Sequence, residues 1–285
     1  MLPEGFSGRL LVRFSPENIY DKEWYYDTGD VQVQSLNGEN YWEASERVNS
    51  EFGFRFAIEN MKSPHLMVFA YPDNKRRYMG VSDCMSYDLN MGISTGGVFP
   101  LSNEIKVQTL VFWPRTNLEN VSFVTMAEGN PAAIAYVEIY ELSELPSADI
   151  ISPDGFRKIG FQFEDPCGYS NSLGATTFEQ WRNRVIEYMK FTGQNELYYP
   201  VNWYHGPTWP SKTQPADQIC LCLAENRRAY GILTKEPYDW VEELMAEFDS
   251  NSFEFSPSFT LARLGTLMEG RTYDVEDVYN GADTY

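Results

Sequence analysis

Histidine is nearly absent from this chain, with two residues in 285, and cysteine occurs four times. Cys84 and Cys167 stand alone, and Cys220-x-Cys222 lacks the second half of a zinc site. The spacing argues against a structural zinc and demands no disulfide framework. Cations are also scarce: 22 Lys and Arg face 41 Asp and Glu, for a net charge of −19. Binding a phosphate backbone needs clustered Lys and Arg, so nucleic acid is not an expected partner. Long apolar runs are missing. Stretches such as Leu66–Tyr71 and Thr109–Trp113 fall far short of the ~20 residues that span a bilayer, so no membrane span is expected. The start, Met1-Leu-Pro-Glu-Gly5, lacks the basic and apolar regions of a signal peptide. Localisation stays open: cytoplasmic for the chain as it stands, extracellular or periplasmic if it belongs to a longer secreted protein.

Aromatic residues are abundant, with 19 Tyr, 18 Phe and 7 Trp. Most aromatic rings fill cores, but an exposed ring can stack on the flat apolar face of a sugar. The length allows one large domain or two medium ones.

The first part, residues 1–147, reads as an antiparallel β-sandwich of roughly eight strands. Phe52, Phe54, Phe56 and Ile58 alternate with Gly53, Arg55 and Ala57, the period of a half-buried strand. Arg9–Phe14, Leu66–Tyr71, Lys106–Phe112, Val121–Thr125 and Ala133–Leu142 are further β-rich runs. Turn signals separate them at Asn37-Gly38, Pro72–Asn74, Gly96-Gly97 and Glu128–Pro131.

The order and spacing of these runs resemble the galactose-binding-like jelly rolls common among carbohydrate-binding modules. The resemblance is carried by the Asp27–Asp30 turn, the Phe52–Ile58 strand, Pro64-His65-Leu66 and the last strand Ala135–Glu141. It implies a ligand site on end loops or on a sheet face, with Trp24, Tyr25, Tyr26, Tyr41 and Trp42 as candidate stacking rings. It also implies a structural calcium, for which Asp27, Asp30 and Glu138 supply oxygen ligands of the right kind. Against this stand plain packing for the rings and an Asx-type turn at Asp27–Asp30 with a solvated Glu138.

The second part, residues 148–285, changes period. Lys158–Phe163 and Leu197–Trp203 are apolar runs that flank a patterned helix, Thr177–Lys190. Thr176 or Thr177 suits the N-cap, with Glu179 or Gln180 at the reciprocal position, and Gly193 suits the C-terminal cap. Phe178, Trp181, Val185 and Met189 form its apolar stripe. A second helix is expected from Pro237, with Trp240, Val241, Leu244 and Phe248 inward, followed by a strand over Phe253–Phe259. The β-α-β-α-β order predicts parallel strands.

Gly160–Trp209, with Phe255–Phe259 and Leu264–Leu267, resembles the first βα units of glycoside-hydrolase-like barrels that follow a jelly roll in large bacterial proteins. The expected fold is thus multidomain: a jelly roll, then a partial (β/α) barrel with about three parallel strands. A full barrel takes roughly 250 residues, so the remaining barrel is expected in a longer chain. The long strand-to-helix loops would place Glu164, Asp165, Trp203, Tyr204, His205, Trp209 and Ser258 on one substrate-binding rim. Glu164 and Asp165 are adjacent and point to opposite faces of a strand, so they are no glycosidase pair. In such barrels the catalytic carboxylates follow later strands, which would lie past residue 285. The expected partner is a poly- or oligosaccharide, with no cofactor beyond the calcium. The expected function is carbohydrate-active and glycoside-hydrolase-like. The alternative is a non-catalytic carbohydrate-binding or cell-surface scaffold protein.

Overall fold

The computed structural model describes residues 2–18, 24–83, 91–114, 116–148, 159–162, 173–175, 177–203, 206–207, 212 and 240–259. The chain divides into two compact units, Met1–Leu145 and Pro146–Tyr285.

The first unit holds twelve strands among the described residues. They are β1 (Ser7–Phe14), β2 (Tyr25–Asp27), β3 (Gln32–Leu36), β4 (Glu39–Glu43), β5 (Glu51–Ala57), β6 (His65–Pro72), β7 (Arg77–Asp83), β8 (Met91–Thr95), β9 (Ile105–Phe112), β10 (Leu118–Thr125), β11 (Ala133–Ile134) and β12 (Tyr136–Glu144). One sheet has the order β1-β12-β6-β9 and a second has β2-β5-β10-β7-β8; β11-β4-β3 forms a small third sheet. All their pairings are antiparallel. The six expected runs all appear as strands. The eight-strand expectation undercounts because β2, β3 and β4 are short, and β3 (Gln-Val-Gln-Ser-Leu) is mostly exposed and polar. Such strands show no apolar alternation.

The alternation in β5 decides the core. Phe52, Phe54 and Phe56 face inward with Met79 and Val81 of β7 and Val121 and Phe123 of β10; Met67, Phe69, Val137 and Ile139 answer from the other sheet. Phe14 stacks on Phe54 at 4.8 Å and Trp42 lies 4.9 Å from the same ring. Full burial of such side chains contributes about 1.5–3 kcal/mol each.

A charged knot closes one end. Arg77 is fully buried and donates to the carbonyls of Pro72 and Pro131, to Glu43 and to Asn74 Oδ1. Glu43 also receives Lys75 at 2.7 Å, so the desolvated guanidinium is paired and its directions are used.

The second unit has parallel strands β13 (Gly160–Gln162), β14 (Glu196–Trp203) and β16 (Glu254–Phe259), with β15 (Gly206–Pro207) turned back antiparallel on β14. Helix α1 (Phe178–Thr192) starts at Thr177, whose hydroxyl accepts from Gln180 N–H, and ends at Gly193 in the left-handed region (φ 68°). Helix α2 covers Trp240–Ser250; its expected start at Pro237 lies outside the described residues. Phe178, Trp181, Val185 and Met189 of α1 pack with Trp240, Leu244 and Phe248 of α2 on Leu197, Tyr199 and Val201 of β14. Both helices therefore cover one face of the strand. Pro200 is accommodated in β14, with a register shift between Pro200 and Asn202 against β16. The partial barrel is not what these residues establish: among the described residues they form an open layer of three parallel strands and two helices.

Candidate functional site

The rings singled out in the sequence part company in the structure. Trp42 is only 4% exposed and lies in the sandwich core, stacked against Tyr25 at 6.0 Å. Tyr41, equally buried, packs from β4 onto Ala70, Ala133 and Ala135 and receives a hydrogen bond from Asn74. A ring so enclosed offers no face to a sugar, so these two are packing residues. Trp24 and Tyr25 are half-buried and pack on the core. Burial, together with a hydrogen bond to Asp27, pushes the Tyr25 phenol well above its ordinary range.

Tyr26 differs because strand alternation turns it outward. It sits opposite Gly53, which sits opposite Ser122, which sits opposite Ser82: one rung across β2, β5, β10 and β7. These residues are on the face away from Phe52, Phe54 and Phe123. The Tyr26 ring lies down over Gly53. A β-carbon at Gly53 would stand 2.4 Å from the ring's Cζ and from its hydroxyl oxygen, and 2.5 Å from the Val121 carbonyl oxygen. Only glycine leaves room for this close approach. Asn120 Nδ2 donates to the phenol oxygen at 2.9 Å, and the exposed Arg55 holds its guanidinium 5.7 Å from the ring centre. The next rungs continue the same face with Glu51, Val124, Gly80 and Gly92, then with Tyr78 opposite Ser94. The result is a platform of small and hydroxyl-bearing residues with a flat tyrosine at one side. Gly53, Arg55, Tyr78, Asn120 and Ser122 were not candidates from sequence. The alternation of Phe52, Phe54 and Phe56 already implied that Gly53 and Arg55 share the outer face.

The proposed calcium ligands are all satisfied by protein groups. Asp30 accepts from the hydroxyls of Thr28, Ser45 and Ser50 and from Arg47. Those hydroxyl bonds, Thr28 foremost, hold its carboxyl down at about 2. Asp27 accepts from Gly29 N–H at 2.6 Å, an Asx turn. Glu138 lies in β12, 3% exposed, bonded to Arg13 and Tyr140. Among the described residues no group of three or more His, Cys, Asp or Glu side chains could hold a metal ion.

In the second unit, Glu164, Asp165, Tyr204, His205 and Trp209 lie outside the described residues. Trp203 is the last residue of β14, opposite Gly206. Ser258 is half-buried on β16 and pairs in register with Pro200. On the strand face away from the helices, Ser256 donates to Glu196, whose carboxylate is 2% exposed.

No family model matches the chain, and no curated protein does. Among solved structures, the chain is similar to a family 35 carbohydrate-binding module from Clostridium thermocellum, with 13% identity, a TM-score of 0.35 and coverage of 46% of this chain and 98% of the other. It is similar to an exo-β-1,3-galactanase from Phanerochaete chrysosporium, with 11% identity, a TM-score of 0.33 and coverage of 45% and 29%. A family GH115 4-O-methyl-α-glucuronidase with specificity for decorated arabinogalactans gives 13% identity, a TM-score of 0.36 and coverage of 50% and 19%. With TM-scores below 0.5, these overlaps describe partial similarity of shape and no more.

Proposed function

We propose that the sandwich is a glycan-binding module and that its ligand, a neutral sugar, lies on the outer face of β2-β5-β10-β7-β8. The observation that carries this reading is the Tyr26 ring held flat over Gly53 between Arg55 and Asn120. A pyranose presents an apolar face of C–H groups to such a ring and hydroxyls to the surrounding polar groups. The exposed Arg55 guanidinium, 5.7 Å over the ring, brings N–H donors with fixed directions, suited to sugar hydroxyls. Asn120 fixes the phenol, so the ring need not be ordered on binding, which lowers the entropic cost. The net charge of −19 favours a neutral ligand over a polyanion. Affinity electrophoresis in gels containing soluble neutral polysaccharides tests this: retardation of the wild type, abolished in Tyr26→Ala, is expected. A wild type that runs unretarded in every gel would overturn it.

A second reading concerns the other unit: a glycoside-hydrolase-like barrel opening. Its support is the winding. The strands run β13-β14-β16 in sequence order, and α1 and α2 cover the same face of β14. A barrel keeps sequence order and one-sided helices throughout, and one βαβαβ half of a doubly wound sheet shares that winding. Release of reducing ends from a polysaccharide bound by the sandwich would favour it, and binding without any hydrolysis favours the non-catalytic module.

A further inference from the structure

The outer face carries a second exposed ring. Tyr78 of β7 is 46% exposed and pairs with Ser94 of the edge strand β8. It faces outward because its neighbour Met79 is inside the core. Tyr78 lies four residues along β7 from Ser82, the residue on the Tyr26 rung. With ~4.8 Å between strands and ~3.4 Å per residue, the two rings stand about 15–20 Å apart along a diagonal of the sheet. Between them lie Ser122 and Gly80, both buried, with Glu51, Val124 and Ser82 half-buried and Gly92 exposed. The Gly92 position is open: a β-carbon there meets nothing within 4 Å. Arg55 lies on the rung beyond Tyr26, away from Tyr78, and Glu51 is the one charged residue on the rung between the two rings.

Resting on the glycan-binding reading above, we infer that Tyr78 is a second stacking subsite and that the ligand is the interior of an extended neutral polysaccharide chain, not a single terminal sugar. One pyranose cannot touch both rings at that separation. A chain can, crossing the strands obliquely from one ring to the other.

Isothermal titration with the full chain tests this. A soluble neutral polysaccharide that retards the wild type is cut to oligosaccharides of increasing length, and each is titrated. Affinity is expected to rise by about tenfold once the oligosaccharide reaches the second ring, a step of ~1.4 kcal/mol. Tyr78→Ala is expected to remove that rise and to leave the shortest binding oligosaccharide unaffected, with an unchanged melting temperature as the folding control. Tyr26→Ala is expected to weaken all lengths. Affinity independent of length, or a Tyr78→Ala variant that keeps the rise, would overturn the inference while leaving glycan binding intact. A wild type that binds no polysaccharide would overturn both.

Discussion

Gly53→Ala is the smallest change that disturbs the proposed platform. The added methyl would lie 2.4 Å from the Tyr26 ring and 2.5 Å from the Val121 carbonyl oxygen, well inside van der Waals contact. The ring can lift, losing its seat and its 2.9 Å bond to Asn120; the β10 backbone cannot move without straining the Val121↔Phe54 and Ser122↔Gly53 pairing. Overpacking of this kind costs roughly 1–3 kcal/mol. Urea denaturation of the wild type, Gly53→Ala, Tyr26→Ala and the double variant forms a thermodynamic cycle. The single glycine change is expected to lower the midpoint without changing the slope. In the Tyr26→Ala background the ring clash is gone and the carbonyl clash remains, so the second change is expected to cost ~0.5–1.5 kcal/mol less. Equal costs in both backgrounds, or no cost at all, would refute the view that the ring lies directly on Gly53.

Two further outcomes test the frame around that face. Arg77→Ala leaves Glu43 with Lys75 alone and strips the Pro72 and Pro131 carbonyls of their donor; a loss of at least ~3 kcal/mol is expected in the same urea assay. His65 is fully buried, and burial lowers its pKa from the ordinary value. Its folded pKa is below the unfolded one, so the unfolded state binds the extra proton; stability is complete above about pH 6.5 and declines as pH falls below it. Melting temperatures measured from pH 7.5 to 5 are expected to fall less steeply in His65→Phe.

Much of the framework was visible in the sequence because burial on one face writes a period into it. The Phe52-x-Phe54-x-Phe56 alternation marked β5, and the Phe178, Trp181, Val185 and Met189 spacing with Thr177 and Gly193 marked α1 to within a residue or two. What stayed hidden has physical causes. β7 and β8 contain Gly80 and Gly92 and alternate small with large, so no apolar run announces them. Tyr41 and Trp42 are candidate stacking rings in the sequence because they fall in a cluster of aromatics, which does not tell a stacking ring from a packing one. In β4 both faces are covered, Trp42 by the core and Tyr41 by the Ala70, Ala133 and Ala135 patch. The site itself depends on register between distant strands. Nothing local to Tyr26 shows that Gly53 and Asn120 will lie beside it, although strand alternation alone separates it from Tyr25.

Glycan binding through Tyr26 is tested most directly by titrating a neutral polysaccharide that retards the wild-type chain into wild type, Tyr26→Phe and Tyr26→Ala, with melting temperatures as the control. Tyr26→Phe keeps the ring face and is expected to retain most of the affinity. Tyr26→Ala removes it and is expected to lose at least about tenfold, the equivalent of ~1.4 kcal/mol. A folded Tyr26→Ala protein that binds as tightly as the wild type would contradict the assignment.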